Sequence, residues 1–155
     1  MLQVFESWGG ELSPYDFKEY SLPYIRQIST QVKERLAKEG LDAVPMTVFA
    51  KGSWYALADL SESNYEVVSL DWTIDPAYAR QVTGDKVALQ GNMDPSALYG
   101  GSDAIREIAT RMVHAFGKDS KHIVNLGHGI LPTVDPEALK VYLETVQQVS
   151  ADIRK

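Results

Sequence analysis

The chain has 155 residues, a formal net charge of -6 and no cysteine. The lack of cysteine excludes disulfides, thiolate metal ligands and cysteine nucleophiles, and the acidic balance argues against nucleic acid, which needs clustered Lys and Arg. No apolar run approaches the roughly 20 residues that cross a bilayer, so no membrane partner is expected. Hydrophobic residues make up 45% and charged residues 23%, which is ordinary for a globular domain.

Five short apolar runs predict five β-strands separated by helical patterns. The predicted strands are Leu2–Phe5, Val44–Ala50, Tyr65–Leu70, Val87–Gln90 and Ile123–Leu126. Such nearly continuous apolar runs are typical of parallel strands covered on both faces. The first run begins at the second residue, and domains rarely open within a strand. We therefore expect an upstream part of the same domain.

Capping signals mark the helices between these strands. Ser13, Asp75 and Asp135 each precede a proline, which combines an N-cap side chain with a residue suited to the first helical turn. Apolar stripes predict the buried helix faces, namely Tyr24, Ile28, Val32 and Leu36; Trp54, Leu57 and Leu60; Ile105, Ile108, Met112 and Phe116; and Leu139, Leu143, Val146 and Val149.

The alternation of strands and helices predicts an α/β fold with a parallel sheet and right-handed crossovers. An open doubly wound sheet and part of a (β/α)8 barrel both fit this pattern. Neither a Gly-x-Gly-x-x-Gly motif nor a P-loop follows any predicted strand, which disfavours nucleotide binding.

Polar residues follow the predicted strand ends, which meet at one mouth in a parallel barrel. These residues are Ser7, Lys51, Asp71, Asn92 and His128. A plain loop role competes with a functional one at each position. We favour such a role for Asp71, as an acceptor of loop N–H groups, for Asn92, as a turn former, and for Lys51, as a solvated cation.

The segment around His128 is the strongest candidate site. Gly127 and Gly129 flank the imidazole directly after a buried run, and their lack of side chains leaves the ring uncovered. A serine–histidine hydrolase that uses Ser7 is conceivable, but no Gly-x-Ser-x-Gly elbow supports it. His114 and His122 lie on other predicted elements, so no pair of histidines shares a face for a metal. The tryptophans are expected to pack in the core or at the mouth.

Six motifs together resemble the uroporphyrinogen decarboxylase family over the whole chain. They are FESWGG (5–10), SLPYI (21–25), VPMTVFAKG (44–52), LDWT (70–73), GNMDP (91–95) and, most specifically, NLGHGI (125–130).

The resemblance implies the C-terminal part of a (β/α)8 TIM barrel, with about five β/α units present. Residues 1–155 would then be the C-terminal portion of a single barrel domain whose N-terminal portion is absent. The family is a lyase, usually a homodimer, that decarboxylates the four acetate side chains of uroporphyrinogen III. The reaction gives coproporphyrinogen III, through partly decarboxylated intermediates, in haem and chlorophyll biosynthesis. The resemblance implies no metal or cofactor, and a location in the cytoplasm, or in the plastid stroma of a plant or alga.

Three residues correspond to substrate-binding positions of the family. Phe5 matches a phenylalanine that packs against the macrocycle, Ser7 matches a cleft serine near the reacting acetate, and His128 matches a histidine that contacts a substrate carboxylate. The family's anchor aspartate, essential arginines and catalytic tyrosine belong to the upstream half. No complete catalytic set is therefore expected here, and cations for a polyanionic substrate must come from elsewhere.

Two other functions remain as alternatives. One is an inactive fragment, or a protein that binds porphyrin or only assembles with partners. The other is a cobalamin-linked methyltransferase with a related barrel. The absence of cysteine disfavours the methyltransferase, because those enzymes bind zinc through cysteine and histidine.

Overall fold

A computed structural model of the chain describes residues 1–118 and 121–155. Five strands alternate with helices, as the sequence predicts. The strands are β1 Leu2–Glu6, β2 Met46–Ala50, β3 Val67–Ser69, β4 Ala88–Met93 and β5 His122–Leu126. The helices are α1 Pro14–Tyr20, α2 Leu22–Lys38, α3 Leu57–Ser61, α4 Pro76–Thr83, α5 Gly101–Phe116 and α6 Pro136–Ile153, with short 3₁₀ turns at Gly9–Glu11, Trp54–Ala56 and Pro95–Tyr99.

The strands form one parallel sheet in the order β1-β2-β3-β4-β5. This order confirms the predicted parallel sheet. A doubly wound sheet reverses its strand order at a switch point, and no reversal occurs among the described strands. The topology is therefore that of part of a (β/α)8 barrel, in which the carboxyl ends of all five strands meet along one edge.

The predicted helix starts are confirmed by their capping hydrogen bonds. The Ser13 hydroxyl oxygen accepts from the Asp16 backbone N–H at 3.2 Å. The Asp75 carboxylate accepts from the N–H of Tyr78 at 2.8 Å, and Asp135 begins α6 in the same way. A capping bond satisfies a backbone donor that the first helical turn leaves unpaired.

The predicted buried face of α5 is confirmed, whereas that of α2 holds only at Val32 and Leu36, which are half-buried, with Val32 packed against the core. Ile105, Met112 and Phe116 of α5 lie in the core. In α2, Tyr24 is 61% exposed and Ile28 is 41% exposed. The helix turns a neighbouring face inward instead, with its buried residues at Leu22, Ile25 and Ser29.

Two hydrogen bonds explain why α2 presents that face. The Tyr65 hydroxyl donates to the Ile25 carbonyl at 2.8 Å, and the Ser29 hydroxyl donates to the Ser63 carbonyl at 2.7 Å. Both bonds reach across to the segment that precedes β3, so a small polar residue such as Ser29 can occupy a fully buried position.

The predictions for α6 and α3 hold only in part. Val146 is buried as predicted, but Leu143 is exposed and the fully buried side chain of α6 is Tyr142. The Tyr142 hydroxyl donates to the Asn125 carbonyl of β5 at 3.1 Å, which fixes α6 against the sheet. Near α3, Leu57 and Leu60 are buried, but Trp54 is 53% exposed and does not join the core.

The buried Tyr65 phenol predicts a loss of stability at alkaline pH. Burial raises the pKa of Tyr65 to about 12, whereas an unfolded tyrosine ionises near pH 10. Between about pH 10 and 12 the unfolded state releases a proton that the folded state retains, so the free energy of unfolding falls as pH rises.

We expect Tyr65→Phe to make this fall shallower, as measured by urea unfolding at several alkaline pH values. Tyr142, whose pKa is also raised by burial, remains in that variant and keeps some of the slope. Tyr15→Phe is the control, because Tyr15 is exposed. An identical slope in Tyr65→Phe and wild type would contradict the prediction.

Candidate active site

A groove of about 410 Å³ opens on the side of the sheet that carries Phe5, Phe49 and His128. Its other walls combine polar side chains of the strands with apolar residues of α6 and the loop after β5. These are Gln3, Ser69, Gln90, Asn125, Ile130, Leu139, Tyr142 and Leu143. Of the three substrate-binding residues predicted from sequence, Phe5 and His128 line this groove. Ser7 lies at the end of β1 but is not part of the lining.

A row of four rings joins the strand ends around this groove. We call Phe5, Phe49, His128 and Trp72 the aromatic row. The Phe5 ring meets Phe49 edge-on, with centroids 6.2 Å apart, as expected for residues paired across β1 and β2. The Phe49 and His128 rings stack at 6.1 Å and 18°, and the His128 and Trp72 rings at 6.0 Å and 27°. The row thus connects the ends of β1, β2, β3 and β5.

His128 itself is exposed and keeps its polar edge available. No hydrogen bond to its ring nitrogens occurs within residues 1–118 and 121–155. The preceding Gly127 lies against the Trp72 backbone so closely that a Cβ at this position would overlap the Trp72 nitrogen. The Gly127 N–H also donates to the Met93 carbonyl at 2.7 Å. The backbone is therefore fixed just before a histidine whose ring can bind a ligand.

Asp71 has the loop role that the sequence favours. Its carboxylate is buried and accepts hydrogen bonds from the backbone N–H of Gly52 at 2.6 Å and of Thr73 at 2.8 Å. It thereby joins the loop after β2 to the loop after β3. Asn92 acts similarly, since its side-chain amide donates to the carbonyls of Asp71 at 2.9 Å and Ile74 at 2.6 Å. Both side chains stabilise the mouth of the sheet.

Lys51 differs from the solvated cation that the sequence favours. Its side chain is half-buried, and its Nζ lies 5.9 Å from the centroid of the Trp72 ring. This distance is within the range of a cation–π contact. Among the salt bridges of the described residues none involves Lys51. Its charge therefore remains available at the mouth.

Ser7 lies in a turn that is fixed on both sides. The Glu6 carboxylate accepts from the Trp8 N–H at 2.9 Å, and the Glu6 carbonyl accepts from the Lys51 N–H at 2.9 Å. The following Gly9 packs against buried polar atoms of Glu6 and Ser53, and a Cβ there would overlap both. The Ser7 hydroxyl is exposed and has no hydrogen-bond partner in the described part of the chain.

The other two histidines do not join this site. His122 of β5 stacks on Phe116 at a centroid distance of 3.5 Å, and its Nε2 lies 2.8 Å from the Gly91 carbonyl oxygen. Burial lowers the pKa of His122. His114 lies on α5, apart from both. No hydrogen bond joins Ser7 to His128 within the described ranges, and no group of three His, Asp or Glu residues in them is arranged to hold a metal.

Phe49 is the site residue that the sequence interpretation missed. It lies two positions before Lys51, just as Phe5 lies two positions before Ser7. Since side chains in a strand alternate between faces, this repeated spacing of a phenylalanine and a polar residue could have indicated two rings on one face of neighbouring strands. Trp72, assigned to packing, also proves to contact His128 directly.

Removal of the Asp71 carboxylate should destabilise the chain. Asp71→Ala removes the acceptor of the Gly52 and Thr73 N–H groups, which should lower the free energy of unfolding by about 1.5–3 kcal/mol. Urea unfolding would measure the loss. Asp42→Ala, which removes an exposed carboxylate, is the matched control. Equal stability of the two variants would refute the loop role of Asp71.

Comparison with known proteins gives one consistent family. The family model described as uroporphyrinogen decarboxylase matches residues 1–149. The chain is 56% identical over 154 residues to uroporphyrinogen decarboxylase of Danio rerio, and the match covers 99% of this chain and 42% of that protein. It is 47% identical over 150 residues to the enzyme of Schizosaccharomyces pombe, covering 96% and 42%. It is 45% identical over 154 residues to that of Homo sapiens, covering 99% and 42%. The chain thus spans less than half the length of these curated relatives.

Among solved structures, a methyltransferase from Methanosarcina mazei shares the fold. The TM-score is 0.78 at 16% sequence identity, and the match covers 95% of this chain and 42% of that chain. At this identity the likeness concerns the fold alone. The part of the chain that the structure describes contains no helix long and apolar enough to span a membrane.

Proposed function

The chain belongs to the uroporphyrinogen decarboxylase family, and we propose that it contributes the C-terminal portion of an enzyme that decarboxylates the four acetate side chains of uroporphyrinogen III to give coproporphyrinogen III. The observation that carries the proposal is the groove in which exposed Phe5 and the stacked imidazole of His128 lie together. The substrate and its partly decarboxylated intermediates combine an apolar macrocycle with many carboxylates, and such a groove offers a surface for each.

The chemistry places clear demands on the protein. Loss of carbon dioxide breaks the bond between the acetate methylene and its carboxyl carbon and leaves an electron pair behind. A pyrrole ring protonated at carbon can accept this pair, so the substrate supplies its own electron sink. A proton added to the methylene carbon then completes the methyl group, and the ring returns its extra proton. The protein has to position the macrocycle, move these protons and stabilise developing charge.

Three residues of this chain meet part of these demands. The exposed Phe5 ring, in T-shaped contact with Phe49, offers apolar surface to the macrocycle. The ring nitrogens of His128 can donate to a substrate carboxylate, and the Ser7 hydroxyl can do so to the reacting acetate. Lys51 is a further basic group at the same mouth.

The remaining requirements have to be met outside this chain. The net charge of -6 is poorly suited to a polyanionic substrate, and the family resemblance assigns the anchor aspartate, the arginines and the catalytic tyrosine to the upstream half. We therefore assign residues 1–155 to the C-terminal portion of a single barrel domain. β1 and β5, the outer strands of the described sheet, each have a neighbour on one side only, and such open edges need a partner.

In the complete enzyme we expect a homodimer, located in the cytoplasm or in a plastid stroma, that uses neither nucleic acid nor an added cofactor. A second candidate function is an inactive fragment that binds porphyrin or only assembles with partners. The open edges of the sheet favour this candidate. A cobalamin-linked methyltransferase is less favoured, because zinc sites of that class use cysteine and the chain has none.

The first experiment measures turnover of uroporphyrinogen III under anaerobic, reducing conditions and separates the products by their number of carboxylates. The chain is assayed alone and mixed with the upstream half of a homologous enzyme. Stepwise loss of carboxylates only in the mixture supports the proposal. Activity of the chain alone would refute the proposal that the chain is catalytically incomplete. Inactivity of both the chain and the mixture would favour the binding or assembly function.

In the active mixture, His128→Ala should lower kcat/KM by about 10- to 100-fold. That range corresponds to the loss of one charge-assisted hydrogen bond, about 1.5–3 kcal/mol. Because His128 is exposed, the free energy of unfolding should change little. His114→Ala makes the same substitution on an exposed position of α5 and serves as the control. A collapse of stability with normal specific activity of the folded fraction would show that His128 is structural.

Ser7→Ala should have a milder effect, less than about tenfold in kcat/KM, because a neutral hydroxyl contributes only about 0.5–1.5 kcal/mol per hydrogen bond. The same assay measures it, with Ser150→Ala near the end of α6 as the control. Unchanged turnover would exclude Ser7 from contact with the reacting acetate.

A further inference from the structure

The orientation of the His128 ring depends on ring stacking. The imidazole stacks with the Phe49 ring, at an angle of 18° between the planes, and with the Trp72 ring, at 27°. These centroid distances of 6.1 and 6.0 Å lie within the range of favourable offset stacking. No hydrogen bond within the described residues holds the ring. Stacking is thus the contact that can orient this ring.

Both stacking partners are themselves fixed. Phe49 is buried in β2, the second strand of the sheet. Trp72 is partly exposed, but its backbone is held in a short turn. The residue before it, Asp71, accepts a hydrogen bond on its carboxylate from the N–H of the residue after it, Thr73. The Gly127 backbone packs directly against the Trp72 nitrogen. One ring therefore comes from a rigid strand and the other from a braced loop.

We propose that Phe49 and Trp72 are positioning residues that clamp His128 between their rings and turn its nitrogen-bearing edge toward the groove. In such a clamp both faces of the imidazole are covered, so the ring presents its edge, which carries both nitrogens. The clamp therefore prepares the imidazole to meet a carboxylate in one fixed orientation, which reduces the cost of ordering it on binding. The ligand class, a carboxylate side chain of the substrate, rests on the function proposed above, whereas the clamp itself does not.

NMR spectroscopy of the isotopically labelled chain tests the clamp without any substrate. Wild type should show NOEs from the His128 ring protons to both Phe49 and Trp72. In Trp72→Leu, the NOE between His128 and Phe49 should weaken and the His128 ring signals should lose their ring-current shifts. In Trp72→Phe, which retains a ring, both should be preserved.

The controls separate the clamp from a general loss of structure. Trp54→Leu removes another exposed tryptophan, one that contacts Tyr55 instead of His128, and should leave the His128 signals unchanged. His122, stacked on Phe116 in the core, reports on the fold within the same spectrum. A wild-type spectrum without both NOEs overturns the proposal before any substitution. So does a Trp72→Leu spectrum in which the NOE between His128 and Phe49 persists at full strength.

A double-mutant cycle in the decarboxylase mixture tests the link to function. If Trp72 acts through His128, Trp72→Leu should lower kcat/KM when His128 is present. The same substitution should cause little further loss when it is added to His128→Ala. Additive losses would mean that Trp72 acts independently of His128 and would overturn its positioning role. If the wild-type mixture is inactive, the proposed function fails, and the NMR experiment still decides whether the clamp exists.

Discussion

The mouth of this sheet depends on one buried carboxylate. Asp71 accepts hydrogen bonds from the loops after β2 and β3, and its own carbonyl accepts from the side chain of Asn92 near the end of β4. Three strand ends are thus joined by a single residue. A buried carboxylate without a cation is stable only when backbone donors satisfy it, as they do here. The Trp72 ring follows directly, and the end of β5 packs on its backbone.

The polar residues at the strand ends divide into two groups by what they bind. Asp71 and Asn92 use their side chains to bind neighbouring loops. Within the described residues, no hydrogen bond is formed by the side chains of Ser7, Lys51 or His128. These three side chains differ only in the groups that lie next to them. This division has a physical basis, because a binding group is precise only when other residues hold its surroundings. The loops that Asp71 and Asn92 hold by hydrogen bonds supply that support, and the stacked rings of the aromatic row extend it to His128.

The mistakes on α2 and α6 follow the position of each helix in the sheet, whereas the exposed Trp54 precedes α3, which follows the inner strand β2. Tyr24 and Ile28 are exposed on α2, which follows the outer strand β1, and Leu143 is exposed on α6, which follows the outer strand β5. The prediction for α5, which follows the inner strand β4, is confirmed. A helix at the end of a partial barrel lacks one neighbour, so part of its apolar stripe has nothing to pack against. The chain's share of its relatives' length, 42%, agrees with this explanation.

The sequence by itself determined the features that depend on residues close together in the chain. The caps at Ser13, Asp75 and Asp135 act over a few residues, strand and helix periodicity is local, and the motif around His128 is continuous. Only the tertiary structure decided that Phe49 and Trp72 stack with the imidazole and that Tyr142 anchors α6. Those contacts join residues far apart in the chain, as with Phe49 and His128. Their formation depends on strand register and on which face each element turns inward, and local propensity specifies neither.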